Sequence, residues 1–178
     1  MTGGGRKFDR THLDCVGGTL SEAIISVVES EEQLDPIREL LREYETLLKE
    51  HHPGASLEGE IAGLPGEYAP PAGACLLVRD GEQVAGCVVM RRLEEGVCEM
   101  RRLYVRPKFR GRGLGRVAAV ALCREARRLG YRKMRLITIP FMVEAGGIYR
   151  SLGFREIPAY RPTHAKEPCY MEVELGRF

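Results

Sequence analysis

The sequence predicts an α/β fold of the mixed α+β kind, in which helices cover one central sheet. Apolar segments separated by tight turns indicate antiparallel strands in the middle of the chain. An amphipathic helix precedes these strands, and two strand–helix–strand crossovers follow them. Hairpins and crossovers in one chain are typical of a sheet with both antiparallel and parallel pairs.

The first third of the chain predicts a strand and then a helix. Residues 23–29, AIISVVE, are rich in the β-branched side chains that favour a strand. From Leu34 to His51 apolar residues recur at helical spacing, behind a capping segment at Ser30. Glycines and prolines are frequent over 54–73, which predicts a short helix or turn and then a loop.

The middle of the chain predicts three consecutive antiparallel strands. An Asp80-Gly81 turn between two apolar runs is a hairpin signal, and a second turn ends at Gly96. The predicted strands cover 74–80, 83–93 and 97–105.

The last third alternates helices and strands. Apolar residues at helical spacing predict a helix over 114–129, which Gly130 closes. The remaining predicted elements are a strand over 134–139, a short helix over 144–154, and two closing strands over 154–160 and 169–175.

Composition limits the classes of protein that the chain can belong to. The chain of 178 residues is 44% hydrophobic and 29% charged, as in folded globular proteins, and its net charge of +2 is small for a dedicated nucleic-acid binder. No apolar run approaches the roughly 18 residues of a membrane span. Residues 1–20 lack the apolar core of a signal peptide. We therefore expect a flexible leader over 1–20, one domain over 21–178 and a cytoplasmic location.

The cysteines and histidines predict no metal site. None of the six cysteines forms a C-x-x-C pair, and His51 and His52 have no third ligand near them in sequence. Four cysteines have apolar neighbours and are expected to be buried, reduced thiols: Cys75, Cys87, Cys98 and Cys123.

The stretch Val97–Gly115, VCEMRRLYVRPKFRGRGLG, carries the strongest functional signal. A strand leads through a turn with glycines at 111, 113 and 115 into a helix N-terminus, where free N–H groups and the helix dipole favour an anion. Glycine lets a phosphate approach the backbone, and nearby arginines add positive charge. Pyrophosphate or a nucleotide phosphate is the expected ligand.

Three other kinds of site fit this stretch less well. A P-loop requires Lys-Ser/Thr after its last glycine, which is absent here. A dinucleotide fingerprint requires glycine where Arg116 stands and an acidic residue after the next strand, which ends Thr138-Ile139-Pro140. A solvated basic face or an RNA contact would not require glycine at alternate positions.

Two motifs show a resemblance to a known family. Arg110–Gly115 has the pattern R-x-x-G-x-G after a strand ending L-Y-V-x-P, and Ala145–Phe154 is similar to A-x-x-L-Y-x-x-x-G-F. Both resemble motifs of the GNAT family of N-acetyltransferases and lie on consecutive crossovers in that family's order. The order of elements over 22–175 also fits. The resemblance implies a mostly antiparallel central sheet whose middle strands splay apart.

The resemblance implies acetyl-CoA as co-substrate and a set of residues that would bind it. The strand end Leu103-Tyr104-Val105 would pair with the pantetheine arm, and a bulge would present the N–H of Tyr104 or Val105 to the thioester carbonyl. Met142 departs from the family pattern, since many relatives have an asparagine there. Backbone amides of the turn would hold the pyrophosphate: Arg110, Gly111, Arg112, Gly113, Leu114, Gly115 and Arg116.

Two residues are the catalytic candidates that the resemblance implies. Tyr149 aligns with a tyrosine that protonates the departing thiolate, and its alternative role is packing against the sheet. Glu99 is the candidate general base for the amine. The alternatives are an exposed carboxylate paired with Arg101 or another arginine, and a carboxylate that orients the amine while water takes the proton.

The acceptor is less clearly indicated. In the family, segments that correspond to 34–64 and 158–168 set substrate choice. Strand alternation places Glu99 and Arg101 on one face. We hypothesise that Arg101 or Arg161 binds a carboxylate of a small, amino-acid-like substrate; arginines paired with surface carboxylates are the alternative.

The functional hypothesis is an N-acetyltransferase that moves acetyl from acetyl-CoA to a primary amine of a small molecule or peptide by direct attack. One alternative is a catalytically silent acyl-CoA-binding regulatory module. Another is a nucleic-acid-binding protein that uses the basic segment 101–116, where few aromatic residues interleave with the charges. Nucleic acid and membrane are not expected partners, and a homodimer is left open.

Overall fold

The computed structural model describes residues 23–178, so the predicted leader over 1–20 and Cys15 lie outside the described residues. No helix in this part of the chain is long and apolar enough to cross a membrane. The elements are β1 (Ala23–Val27), α1 (Leu34–His51), α2 (Glu58–Ala62), β2 (Ala74–Asp80), β3 (Gln83–Glu94), β4 (Val97–Val105), α3 (Leu114–Arg128), β5 (Lys133–Thr138), α4 (Val143–Ser151), β6 (Arg155–Glu156) and β7 (Cys169–Glu174).

The described strands form one mixed sheet of seven, in the order β1-β2-β3-β4-β5-β7-β6. Among them, β4 and β5 pair in parallel and all other neighbours are antiparallel. The parallel pairing covers Val97–Glu99 against Lys133–Arg135, and both strands then continue without pairing to each other. The predicted mostly antiparallel sheet with splayed middle strands is confirmed.

Helices cover both faces of the sheet. On one face α3 packs on β2, β3 and β4 through fully buried residues such as Ala118 and Leu122. On the other face α1 packs on the same strands through Ile37, Leu40 and Leu41, which are also fully buried. Each such aliphatic side chain contributes about 1.5–3 kcal/mol by leaving water. Strand β4 is therefore packed between the two helical layers.

The last part of the sheet differs from the prediction. The strand predicted over 154–160 is only the two residues of β6, with one further ladder bond from Ile157 N–H to the Tyr170 carbonyl oxygen at 2.9 Å. Pro158 and Pro162 have no backbone N–H to continue the ladder. Residues 157–168 therefore form a loop. The other predicted elements lie within three residues of their observed bounds.

Candidate active site

Two clefts open where β4 and β5 part. The first, which we call the glycine-turn cleft, has a volume of about 830 Å³ and lies along the end of β4, the 110–116 turn and the start of α4. The second, the cationic cleft, has a volume of about 980 Å³ and lies between the end of α1, the middle of β4 and the loop 161–166. Tyr44, His51 and Met142 line both, so molecules in the two clefts can meet beside them.

The glycine-turn cleft has the geometry of an anion site. Gly111 and Gly113 have φ of +74° and +75°, which side chains with a Cβ rarely adopt. A Cβ on Gly115 would lie 3.2 Å from Ile148 Cδ1 of α4, so this glycine lets α3 and α4 approach. The first intrahelical bond runs from Val117 N–H to the Gly113 carbonyl oxygen at 3.1 Å. The three N–H groups before it have no partner within the helix and favour an anion.

The structure brings nearly all the predicted acetyl-CoA residues to this cleft. Its lining includes Leu103, Tyr104, Val105, Arg110, Gly111, Gly113, Leu114, Gly115 and Arg116. Arg112 does not line it, because its guanidinium donates to Asp80 Oδ2 at 2.8 Å. Arg110 Nε donates to the Val105 carbonyl oxygen at 3.0 Å, which fixes the turn against the strand end.

A bulge interrupts β4 between the two clefts. Arg101 pairs with Val89 and Tyr104 with Cys87, so three steps along β4 match two along β3. Arg102 has φ of 55°, in the left-handed region. The irregularity therefore lies at Arg102 and Leu103, just before the Tyr104 and Val105 amides that the family resemblance suggested.

Positive side chains outnumber negative ones among the charged residues that line the cationic cleft. Its lining from the described residues contains one carboxylate, Glu99, so the surface favours negatively charged ligands. The predicted acceptor residues Arg101 and Arg161 both line it. The cationic and imidazole side chains are Arg101, Arg102, Arg161, Lys166, His51, His52 and His164.

Glu99 is held on both carboxylate oxygens. Its side chain is 0% exposed and accepts from Arg91 Nε at 2.8 Å, Arg161 Nε at 2.8 Å and Tyr160 Oη at 2.7 Å. Arg101 Nε lies 3.9 Å away on the same strand face, as alternation predicts. Burial alone raises the pKa of Glu99, but the hydrogen bonds from Arg161 and Tyr160 and the charges of Arg161 and Arg91 outweigh it and place the pKa below its usual range. Glu99 is thus a buried anchoring carboxylate in this arrangement and not an exposed one.

Tyr149 lies behind the glycine-turn cleft. It is 7% exposed, belongs to the core on the α3 face and packs its ring 5.7 Å from that of Phe154. Its neighbour Ile148 lines the cleft, whereas Tyr149 does not. Burial, with smaller effects from Tyr44 and Cys123, raises the pKa of its hydroxyl, which therefore keeps its proton at neutral pH.

The described cysteines do not take part in either cleft. Cys75, Cys87, Cys98 and Cys123 are buried free thiols, as predicted. Burial raises the pKa of Cys75 and of Cys98 to about 12. Thiols that keep their proton and lie away from both clefts are poor nucleophiles.

Of the residues at the junction of the clefts, the sequence singled out Met142 but gave no site role to Tyr44 or His51. Tyr44 fits the apolar stripe of α1, so periodicity assigns it to the core, yet its hydroxyl lies 3.9 Å from Met142 Sδ beside both clefts. The His51 ring stacks on Phe141 with centroids 3.9 Å apart. Only the packing of α1 against the β5–α4 connection brings these residues together.

Comparison with known proteins agrees with the geometry. A profile of the acetyltransferase (GNAT) family matches residues 29–154. An uncharacterized N-acetyltransferase of Schizosaccharomyces pombe is 32% identical over 159 residues, which cover 88% of this chain and 98% of that protein. The N-acetylaspartate synthetase of Rattus norvegicus is 33% identical over 107 residues, which cover 58% of this chain but only 36% of that protein.

A solved structure shares the fold. A Salmonella typhimurium protein described as an acetyltransferase with its cofactor acetyl-CoA superposes with a TM-score of 0.60 at 20% identity, covering 88% of this chain and 95% of that chain.

Proposed function

Because the chain belongs to the acetyltransferase (GNAT) family, we propose that it moves acetyl from acetyl-CoA to the primary amine of a small molecule that carries a carboxylate. One observation carries the proposal: a cleft with an anion-binding glycine turn meets a cleft lined by positive side chains, where β4 and β5 part.

The residues of the glycine-turn cleft fit acetyl-CoA. The free N–H groups at the start of α3 and the two left-handed glycines suit a pyrophosphate, and Arg116 lies at the same helix end. The edge of β4 past Glu99 has no β5 partner, so Leu103–Val105 can pair with an extended arm as a further strand would. Bound there, acetyl-CoA supplies an acetyl group activated as a thioester.

The described residues favour direct transfer. The amine loses a proton, its nitrogen bonds to the acetyl carbon, the carbon–sulfur bond breaks, and the thiolate takes a proton. Since no described cysteine lines either cleft, an acyl-enzyme step on a thiol has no residue to carry it in residues 23–178. We propose that Glu99 anchors Arg161 while water in the cleft takes the ammonium proton, because both Glu99 oxygens are already occupied.

The charge of the cationic cleft favours an acceptor with a carboxylate over a polyamine. Arg161 Nε donates to Glu99, Nη1 donates to the Pro162 carbonyl oxygen at 3.3 Å, and the side chain lines the cationic cleft. Lys166 and His164 line the same cleft and have no ion pair within the described residues. The name of the rat relative, N-acetylaspartate synthetase, denotes an acidic amino acid as acceptor in that protein, which agrees with this choice.

The nucleic-acid alternative finds four of the seven cations of segment 101–116 already paired with carboxylates, whereas Lys108, Arg110 and Arg116 donate to uncharged oxygens. Within the basic segment 101–116, Arg101 donates to Glu67, Arg102 to Glu60 and Arg112 to Asp80. Arg106 is held by Glu39 and Glu43 of α1. Charges neutralised inside the protein release few counterions from nucleic acid.

Thermal unfolding with acetyl-CoA, CoA or NADH tests the donor. We expect the melting temperature to rise with acetyl-CoA, less with CoA and not with NADH, because a ligand stabilises the fold that binds it. No shift with either CoA species would overturn the proposal and would direct attention to RNA binding at varied salt.

Thiol release with matched acceptors tests the reaction. Each amino acid, including aspartate, glutamate and glycine, is compared with its carboxamide and with spermidine at equal concentration. We expect release of free CoA to be fastest with the carboxylates. Binding of acetyl-CoA without release on any amine would instead identify the silent regulatory module.

A further inference from the structure

The bulge in β4 is held from one side by a partly buried ion pair. Arg102 Nε and Nη2 donate to Glu60 Oε1 and Oε2 at 2.9 and 2.7 Å, a bidentate arrangement. Both side chains are 16% exposed, and Tyr68 Oη also donates to Glu60 Oε1 at 2.7 Å. The Arg102 guanidinium lies 5.9 Å from the centroid of the Tyr44 ring. Glu60 of α2 thus binds the side chain of Arg102, the β4 residue with left-handed backbone.

The bulge is constrained from the β3 side as well. A Cβ on Gly86 would lie 2.3 Å from the Tyr104 carbonyl oxygen and 3.1 Å from Val105 Cα, so the strands approach as only glycine allows. Cys87 Sγ lies 3.7 Å from the Arg102 carbonyl oxygen. These contacts fix where β4 runs after the bulge.

The bulge lies where β4 passes from one cleft to the other. Arg102 lines the cationic cleft, whereas Leu103–Val105 line the glycine-turn cleft. A strained non-glycine residue persists only where its surroundings hold it, and such residues concentrate at functional sites. Left-handed backbone has a higher conformational free energy for arginine than for glycine. We therefore expect the ion pair with Glu60 to be what holds an arginine in this conformation.

We propose that Glu60 and Arg102 are positioning residues that clamp the β4 bulge, so that a backbone N–H of the segment Leu103–Val105 faces the acyl carbonyl during transfer. The proposal rests on the acetyl transfer proposed above. Neither side chain touches the reacting atoms. Loosening the clamp moves this donor by a fraction of an ångström and slows chemistry more than it weakens binding.

Kinetics of four variants test the clamp. Glu60→Gln and Arg102→Ala remove the charge pair, whereas Arg102→Gly also removes it but accepts the left-handed backbone. Glu58→Gln changes an exposed carboxylate on the same helix and is the matched control. We expect kcat to fall about 10- to 100-fold in the first three variants, with the Kd for CoA changed by less than about threefold.

The comparison of glycine with alanine separates stability from positioning. Arg102→Gly should melt higher than Arg102→Ala yet be equally slow, because it relieves strain without restoring the clamp. A kcat that recovers in Arg102→Gly, or that follows only the folded fraction, would overturn the proposal.

Hydrogen exchange keeps the test independent of the acetyl-transfer assignment. If the unaltered protein transfers acetyl to no amine, the proposed function fails. The clamp is then tested by the hydrogen-exchange rates of the Leu103–Val105 backbone amides in the ligand-free protein. Faster exchange in Glu60→Gln and Arg102→Gly than in Glu58→Gln supports the clamp, and equal exchange in all of them refutes it.

Discussion

The two clefts that meet beside Tyr44 are built from different parts of the chain. The glycine-turn cleft is formed largely by backbone of one continuous stretch, 103–116, with α4 against it. The cationic cleft is formed by side chains from separate segments, such as Arg161 and Glu99, which form an ion pair although they are 62 positions apart. A site made of local backbone leaves a motif in the sequence, whereas a site made of distant side chains does not.

Arg161→Gln gives the sharpest test of the cationic cleft. Removing a charged hydrogen bond of about 1.5–3 kcal/mol should raise KM for a carboxylate-bearing amine about 10- to 100-fold. KM for acetyl-CoA and for the matched carboxamide should stay nearly constant in steady-state assays. Arg155→Gln, an exposed arginine outside both clefts, is the control. An equal rise for the amino acid and its amide would show that Arg161 does not bind the carboxylate.

Gly113→Ala tests the backbone character of the other cleft. Alanine at φ of +75° costs about 1–2 kcal/mol unless the turn leaves its binding geometry, so KM for acetyl-CoA should rise about 5- to 30-fold. KM for the amine should not change. In Gly147→Ala, at an open position within α4, acetyl-CoA kinetics should match those of the unaltered protein. Unchanged kinetics in Gly113→Ala would mean that this turn does not hold the donor.

Tyr149→Phe tests whether the buried hydroxyl of Tyr149 protonates the leaving thiolate. Tyr149 keeps its proton but does not line the glycine-turn cleft, and a thiolate with an ordinary pKa near 8.5 leaves readily. We expect kcat to fall by less than about tenfold. A loss of about a hundredfold or more would place the hydroxyl at the sulfur and restore the general-acid role that the family resemblance implies.

Glu99→Gln distinguishes an anchor from a base and has the smallest expected effect on rate. Because the folded-state pKa is lowered, ionised Glu99 stabilises the fold above the usual carboxyl range, and that stability is lost as pH falls through the folded-state pKa. The variant should melt lower near neutral pH, and its melting temperature should fall less steeply on acidification. Its kcat should stay within about fivefold, whereas loss of a true base costs about 100-fold or more.

Much of the fold followed from periodicity and turn chemistry. α1 and the three central strands were predicted closely because apolar spacing and the Asp80-Gly81 and Gly96 turns are local signals. The strand predicted over 154–160 was wrong because its apolar residues outweighed Pro158, which ends the ladder after Ile157. The resulting loop became a wall of the cationic cleft.

The site residues also divide into those set by local sequence and those set by distant residues. Gly111 and Gly113 have positive φ and Gly115 allows a close approach, and the sequence could indicate such a turn because these features depend on residue type at fixed spacing. Arg112 differs because Asp80, at the end of a strand distant in sequence, binds it. The family resemblance implied a bulge near Tyr104 and Val105, but nothing in the sequence placed left-handed backbone at Arg102 or paired this residue with Glu60, 42 positions away.

By itself the sequence determined the order of helices and strands, the glycine turn and the helix N-terminus behind it, because backbone conformation responds to neighbouring residues. The tertiary structure alone decided that Glu99 is buried between Arg91 and Arg161, that Tyr44 stands between the clefts, and that Glu60 grips Arg102. These depend on which charges are brought together out of water, and ion pairs gain that proximity only after the sheet and both helical layers have assembled.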